Sequence, residues 1–261
     1  ISDRTVFHVQ YGRFSQMPAL RSSFTGGARL ALELGGQNFI NSPSAFDIEP
    51  MRTTQYELGF EKQFSEVASF DITGFYRDVK GQIQVARQDI SSTAQNANSY
   101  NYLQNGDFAT TKGLEFVFKL RRTNRLRSEL NYTLSDARGS GSTTAAGLSG
   151  IENASNVPTI ISPLDFNETH RGALFFDYRF GENDGGPIFS ELGANLLFRF
   201  TSGHNYTFSD GSLGQTGPED GGILNSSAPR NRKPLESVNR STTPWTFQID
   251  LRVDKGFNLM G

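Results

Sequence analysis

RTTQYELGFEKQFSEVASFDITGFYRDVK, residues 52–80, decides the fold of this chain. Tyr56, Leu58 and Phe60 alternate with Gln55, Glu57, Gly59 and Glu61. A period of two marks an extended strand with one apolar and one polar face. The pattern breaks at Phe64, Ser65 and Glu66, then resumes with Ala68, Phe70, Ile72, Gly74 and Tyr76 against Ser69, Asp71, Thr73 and Arg77. Two such runs across a short turn predict an antiparallel hairpin. Its polar face is charged, its apolar face ends in tyrosine, and the rest of the chain repeats the unit with different loops.

Outward from that hairpin the same alternation recurs. Phe7, Val9 and Tyr11 predict a strand over 5–14. A weaker continuation through Val79, Ile83 and Val85 runs into a polar stretch, 88–99, that reads as a loop. Leu114, Phe116, Phe118 and Leu120 oppose Glu115, Val117 and Lys119, and after 121–125 Leu126, Leu130, Tyr132 and Leu134 oppose Arg127, Glu129, Asn131 and Thr133. Strands over 169–180, 192–201 and from Trp245 onward complete a set of about eight. The intervening segments 15–51, 139–167 and 202–243 read as loops, with a possible helical turn at 28–34 that is too short to stand alone.

Connection length discriminates between β architectures. Short connections near Ser65, Thr123 and Asp184 alternate with long ones near Ala31, Gln95, Ala146 and Gly221. Alternate connections of an antiparallel meander lie at opposite ends, so one end carries short turns and the other long loops. Outer-membrane barrels have that asymmetry, and a soluble sandwich has no reason to sort its loops by parity. The expectation is therefore all-β: an up-and-down antiparallel meander forming part of a transmembrane β-barrel. Tyr76, Tyr132, Tyr178 and Trp245 near strand ends suit interfacial belts.

Composition agrees. The chain has 261 residues, a net charge of −2, 22 phenylalanines and no cysteine. Lack of cysteine excludes disulfides and thiolate metal sites, and the near-neutral charge argues against a nucleic-acid partner. A mean hydropathy of −0.46 is compatible with a barrel, which shows only every second residue to lipid. There is no initiating Met and no signal-peptide pattern, so the chain reads as a piece of a longer protein.

The segments TTQYELGFEKQF (53–64), FDITGFYRDVKGQI (70–83), TKGLEFVFKLRR (111–122), ELNYTLSDARGS (129–140), FNETHRGALFFDYRFG (166–181) and TPWTFQIDLRVDKGF (243–257) resemble the barrel of TonB-dependent outer-membrane receptors. The likeness is greatest to the subgroup with a carboxypeptidase-regulatory-like domain ahead of its plug. The resemblance implies a large plugged barrel of about 22 strands in the bacterial cell outer membrane. It also implies energy-coupled uptake of a nutrient ligand, and contact with the TonB protein through an N-terminal segment. Residues 1–261 would then be a fragment of the C-terminal barrel domain, without the plug and the terminal strands.

No catalytic constellation is evident. His8, His170 and His204 fall in separate elements, and Asp210, Glu219 and Asp220 lack calcium-loop spacing. Arg230, Arg232 and Lys233 form a basic run, and the Asn-x-Ser/Thr matches at Asn131, Asn153, Asn167, Asn205 and Asn239 are at chance level. No enzyme activity, cofactor or metal is therefore expected. The candidate ligand-facing residues are the charged members of the polar strand faces: Glu57, Asp71, Glu115, Glu129, Asp177, Arg199 and Asp250. Two other readings stay open: a complete small outer-membrane barrel serving as an adhesin or structural protein, and a soluble β-rich binding domain. The first requires the end strands to pair, and the second requires Leu58, Phe118, Phe176 and Ile249 to be buried against a second layer. Side-chain pairing further predicts Lys119 opposite Glu129, Phe60 opposite Phe70 and Leu58 opposite Ile72.

Overall fold

The computed structural model describes residues 4–18, 39–45, 48–90, 98–142, 160–210 and 233–257. Its framework is an antiparallel meander in the order β1 (Thr5–Gln16), β3 (Met51–Gln63), β4 (Ala68–Ile90), β5 (Asn98–Thr123), β6 (Leu126–Gly139), β8 (His170–Arg179), β9 (Leu192–Thr201), β14 (Thr246–Lys255). β1 and β14 end the path without pairing each other, so the sheet is an open arc. The small-barrel reading fails on that point. The long connections gather at one end as expected. Some carry short ladders: β7 (Ser162–Pro163) on β6, β10 (Asn205–Tyr206) with β13 (Ser241–Thr242), and β11 (Ser209–Asp210) with β12 (Lys233–Pro234). The possible helical turn at 28–34 lies outside the described residues.

The strand pairings sort the side chains onto two faces. One row runs Phe7, Phe60, Ile72, Phe116, Tyr132, Gly172, Phe200 and Phe247; the next runs Phe70, Phe118, Leu130, Leu174, Phe198 and Ile249. Leu58 is 63 % exposed and Ile249 66 %, and among the described residues no second layer packs on the sheet to bury them. The soluble-domain reading fails here. This face changes character sharply along several strands. On β3 and β4 it is apolar from Phe60 to Tyr56 and from Phe70 to Tyr76, then polar at Thr54, Arg52, Asp78 and Lys80. Aromatic side chains crowd its margins. Tyr11, Tyr56 and Tyr76 form one chain of contacts, with ring centroids 5.2 and 6.3 Å apart, and His170 stacks on Trp245 at 5.4 Å. At the short-turn margin Phe64 stacks on Phe118 at 6.2 Å.

Register shows where turn chemistry overrides side-chain preference. Lys119 faces Glu129, Phe118 faces Leu130 and Phe116 faces Tyr132, as the sequence predicts. The turn is tighter than a simple slip implies. Thr123 faces Leu126 across Asn124 and Arg125, and Arg121 and Arg122 share a bulge opposite Arg127. Asn124 takes φ 55°, a left-handed conformation that asparagine tolerates. Glu129 nonetheless accepts from Asn131 Nδ2, 3.2 Å away, within its own strand.

The first hairpin corrects the expectation. Phe60 faces Ile72, Leu58 faces Gly74, Lys62 faces Phe70, and Glu61 faces Asp71. The predicted register would leave a three-residue loop, Phe64-Ser65-Glu66, which needs a left-handed residue that this sequence supplies neither as Gly nor as Asn. Forcing one costs about 1–2 kcal/mol, more than the roughly 0.2–1 kcal/mol at stake in one cross-strand pair. The chain instead closes a longer turn, with Phe64 N donating to Ala68 O at 3.1 Å and Ser65 N to the same oxygen at 3.3 Å. No residue of that turn has positive φ. The Phe60 and Phe70 rings still meet diagonally at 5.8 Å, and Asp71 accepts from Thr73 Oγ1 at 3.0 Å.

The segment 88–99 also departs from expectation. β4 and β5 run 23 and 26 residues and stay paired to Ile90 opposite Asn98. Extra residues at Gly81 on one strand and Gly106 on the other cancel, so the register survives. β6 stops at Gly139 opposite Ala109, leaving the upper edge of β5 open. β2 (Phe39–Ala45) covers part of that edge in parallel, Phe39 facing Ser99 and Ala45 facing Leu103. Small cores seal this end: Ala109, Ala137 and Leu164 with Val79, and Val85 and Leu103 with Ile48 and Ile83.

Asn124→Val should cost about 1–2 kcal/mol, because a β-branched residue resists the left-handed region, whereas Asn124→Gly should stay within a few tenths. Thermal unfolding in detergent, followed as loss of the compact electrophoretic form, measures both.

Candidate functional site

The polar face carries every residue singled out from the sequence. Rows of direct pairs place Glu61 with Asp71 and Val117; Asn131, Ala173, Arg199 and Gln248 continue the Asp71 row. Glu115 faces Thr73 and Thr133, Glu129 faces Phe175, and Asp177 faces Arg127 and Asn195. The seven candidates therefore share a face, yet among them only Arg199 and Asp250 bond to each other, at 2.6 Å. Glu57 accepts from Gln55, whose Oε1 takes Arg77 Nε at 2.9 Å. These groups form a charged wall along several strands rather than one convergent centre. Among the described residues no cluster of three metal-ligating side chains occurs.

Sequence reasoning missed the partners that organise this wall near the short turns. Arg122 Nη2 reaches Asp177 Oδ2 at 2.7 Å, and Arg179 Nη2 reaches Asp254 at 2.8 Å. Asp177 is the more enclosed partner, and its Oδ1 is buried without a hydrogen bond. Arg127 lies over the Phe175 ring, 5.9 Å from its centroid. Together with Glu61, Lys119 and Glu129, Arg122 and Arg127 border a cavity of about 520 Å³ beside the turns. Outside the apolar band, in the turn between β8 and β9, Asp184 is gripped by Arg125, and that hydrogen bond holds its carboxyl below the ordinary carboxylate range. The same turn contains α1 (Gly186–Phe189), preceded by Gly185 at φ 81°.

At the opposite end three asparagines tie the loop bases together. Asn167 Nδ2 donates to Asn205 Oδ1 at 2.9 Å, and Asn205 Nδ2 donates to Asn239 O at 2.9 Å. Asn239 Nδ2 donates to Pro163 O at 2.8 Å and Asp165 Oδ1 at 2.6 Å, while Asn167 Oδ1 accepts from Ala137 N at 2.7 Å. All three are buried. Nearby, Glu236 accepts from the Phe208 amide and from Ser241, and the backbone bond leads in holding its carboxyl below the usual range. The histidines stay apart: His8 covers Gly59, His170 sits at 2.8 Å from the Tyr132 hydroxyl, and His204 lies at 3.2 Å from Thr243 Oγ1. Asn153, Glu219, Asp220, Arg230 and Arg232 lie outside the described residues.

An open antiparallel arc with an apolar, aromatic-rimmed face, a charged face and sorted loops is a section of β-barrel wall. The model of the TonB dependent receptor-like β-barrel family matches residues 1–259, and the chain belongs to that family. Solved structures agree on the fold. The siderophore receptor PirA of Acinetobacter baumannii superposes with a TM-score of 0.57 at 17 % identity, over 99 % of this chain and 34 % of its own. The FrpB iron transporter of Neisseria meningitidis gives 0.55 at 14 % identity, over 98 % and 30 %. The outer membrane transporter YddB of Escherichia coli gives 0.55 at 12 %, over 96 % and 32 %. The chain thus spans about a third of the length of these structures. No curated protein sequence matches it.

Arg122→Ala should destabilise the protein by about 1–3 kcal/mol, since it strands an enclosed carboxylate, with a discount for the arginine's partial exposure. Adding Asp177→Asn should restore part of that loss in the same thermal assay. The Arg125–Asp184 grip contributes fully above the ordinary carboxylate range and is lost as the pH falls through the depressed value of Asp184. Protection of the β8–β9 turn amides, measured relative to the intrinsic exchange rate at each pH, should therefore fall in acid, and Asp184→Asn should already be poorly protected at neutral pH.

Proposed function

We propose that this chain is part of the barrel wall of a TonB-dependent receptor in the bacterial outer membrane, with lipid on its apolar face and a ligand pathway along its charged face. The observation that carries the reading is the outward band, apolar from Phe70 to Tyr76 and polar beyond, rimmed by aromatic rings. A face that must meet hydrocarbon and then headgroups has this profile. Glu57, Asp71, Glu115, Glu129, Asp177, Arg199 and Asp250 would line the lumen, offering charge and hydrogen bonds to a passing nutrient ligand. The work is selective transport coupled to TonB, not catalysis. Residues 1–261 would belong to the C-terminal barrel domain. The TonB contact and plug, and the carboxypeptidase-regulatory-like domain of the resembled subgroup, would lie in other parts of the polypeptide. Iron and siderophore cargo, named for the similar structures, illustrates the ligand class without fixing it.

These 261 residues contain no cysteine, so a single introduced thiol marks its own position within them. Single cysteines at Leu58, Phe118 and Ile249 should carry an environment-sensitive fluorophore that reports hydrocarbon in native outer membranes. Those at Glu115, Asp71 and Gln248 should report water. Equal, aqueous signals from both sets would reject the membrane reading. Deleting the gene, or the cell's TonB protein, should abolish uptake of the same nutrient.

A further inference from the structure

Where the polar face of β3, β4 and β5 meets the long loops lies a half-open cavity of about 250 Å³. It stands apart from the charged wall below it. Met17, Met51 and Ile83 supply apolar lining, and Asp107, Gln82 and Glu49 supply oxygen. None of the described residues lining it is a lysine or arginine. Asp107 faces Gln82 across the ladder, so the two side chains share the cavity side. Asp107 as a residue is only 8 % exposed, and among the described residues its carboxylate takes one hydrogen bond, from Ser140 Oγ, 2.7 Å from Oδ1. Gln82 Oε1 is buried and has no hydrogen-bond partner among the described residues. A carboxylate and an amide oxygen with unmet acceptor capacity cost free energy unless a donor arrives.

The surroundings hold these acceptors in place. Ser140 Oγ also accepts from Phe108 N at 3.0 Å, fixing the hydroxyl that binds Asp107. Gly141 crosses directly over the carboxylate: a Cβ there would lie 2.6 Å from Oδ2. The left-handed Gly81, at φ 71°, forms the bulge beneath Gln82. Asn105 Nδ2 bonds Gly81 O at 2.7 Å and Glu49 O at 2.9 Å, and its Oδ1 takes Glu49 N at 2.8 Å. One side chain thus joins the bulge to the cavity's Glu49 wall.

We propose that this cavity binds the ammonium end of a small aliphatic amine, with Asp107 as its counter-ion and Gln82 Oε1 as a second acceptor. The hydrocarbon stem would lie against Met17, Met51 and Ile83. A hydrated divalent ion suits the site less well, because it wants six or more oxygens and half of this lining is apolar; the Glu49 carboxylate is moreover drawn to Arg52, 3.4 Å away. The inference deepens the receptor reading by naming the chemical group that a ligand would present at the mouth.

Calorimetry on the full-length protein in detergent, with 1,5-diaminopentane, pentane-1,5-diol, glutarate and calcium chloride, tests it. The diamine should bind, the diol about ten- to hundredfold more weakly, the size of one charge-assisted hydrogen bond, and glutarate not at all. Asp107→Asn should weaken the diamine by a similar factor while leaving the diol unchanged. Gln82→Leu, which removes the unmet acceptor without removing a charge, should weaken the diamine several-fold without lowering thermal stability, and it serves if Asp107→Asn misfolds. Equal binding of diol and diamine, indifference to both substitutions, or preference for calcium would overturn the site. If uptake still depends on TonB while the diamine fails to bind, only the cavity's assignment falls.

Discussion

A backbone that borders hydrocarbon must satisfy its N–H and C=O groups within the protein, because no water is there to accept or donate. Pairing strand to strand is the sheet's answer, and much else in this chain follows from it. Each strand from β3 to β9 has a neighbour on both sides along the meander. With the ladder fixed, the period of two divides the side chains into a face for lipid and a face for water. The apolar face needs no tight interior packing, which is why so few side chains in this protein are fully buried. Its cohesion comes from the ladder and from aromatic contacts along the rows. The true cores are small and lie at the loop end, where strands outrun their neighbours.

Much of this was legible in the sequence because a face-splitting period leaves a direct trace. Phe118, Ile249, Asp71 and Arg199 are assigned correctly from their neighbours alone, and loop parity orients the sheet. Lys119 opposite Glu129 is also found, although the ion pair used to argue for it is not made, and a bulge at Arg121 and Arg122 reconciles register with turn. The first hairpin resisted the same logic. Its register depends on whether Glu66 can be left-handed, a backbone property that outweighs the repulsion of Glu61 and Asp71.

The remaining gaps have a common cause: contacts made far along the chain, or polar residues that resemble loop. Residues 88–99 look like a connection by composition, yet the paired glycines at 81 and 106 let the hairpin continue as far as Ile90 opposite Asn98. β2 gives no local signal, since its pairing exists only because β6 ends early. Asn105-Gly106-Asp107 has no apolar alternation to mark it and is strand in the structure, so the enclosed carboxylate stayed hidden. Arg122 and Asp177 lie 55 positions apart, beyond the reach of any local pattern.

The asparagine knot at Asn167, Asn205 and Asn239 has an evolutionary consequence. It clamps the stems of two loops immediately above the sheet, so strain generated farther out is not transmitted to the ladder. Residues 211–232 can lengthen, shorten or exchange sequence at the modest entropic cost of a larger closed loop, while the stems keep their bonds. The collar of Asn167, Asn205 and Asn239 thus uncouples the wall from whatever sequence joins the stems, so a change there is expected to alter what the loops meet without altering what holds the barrel.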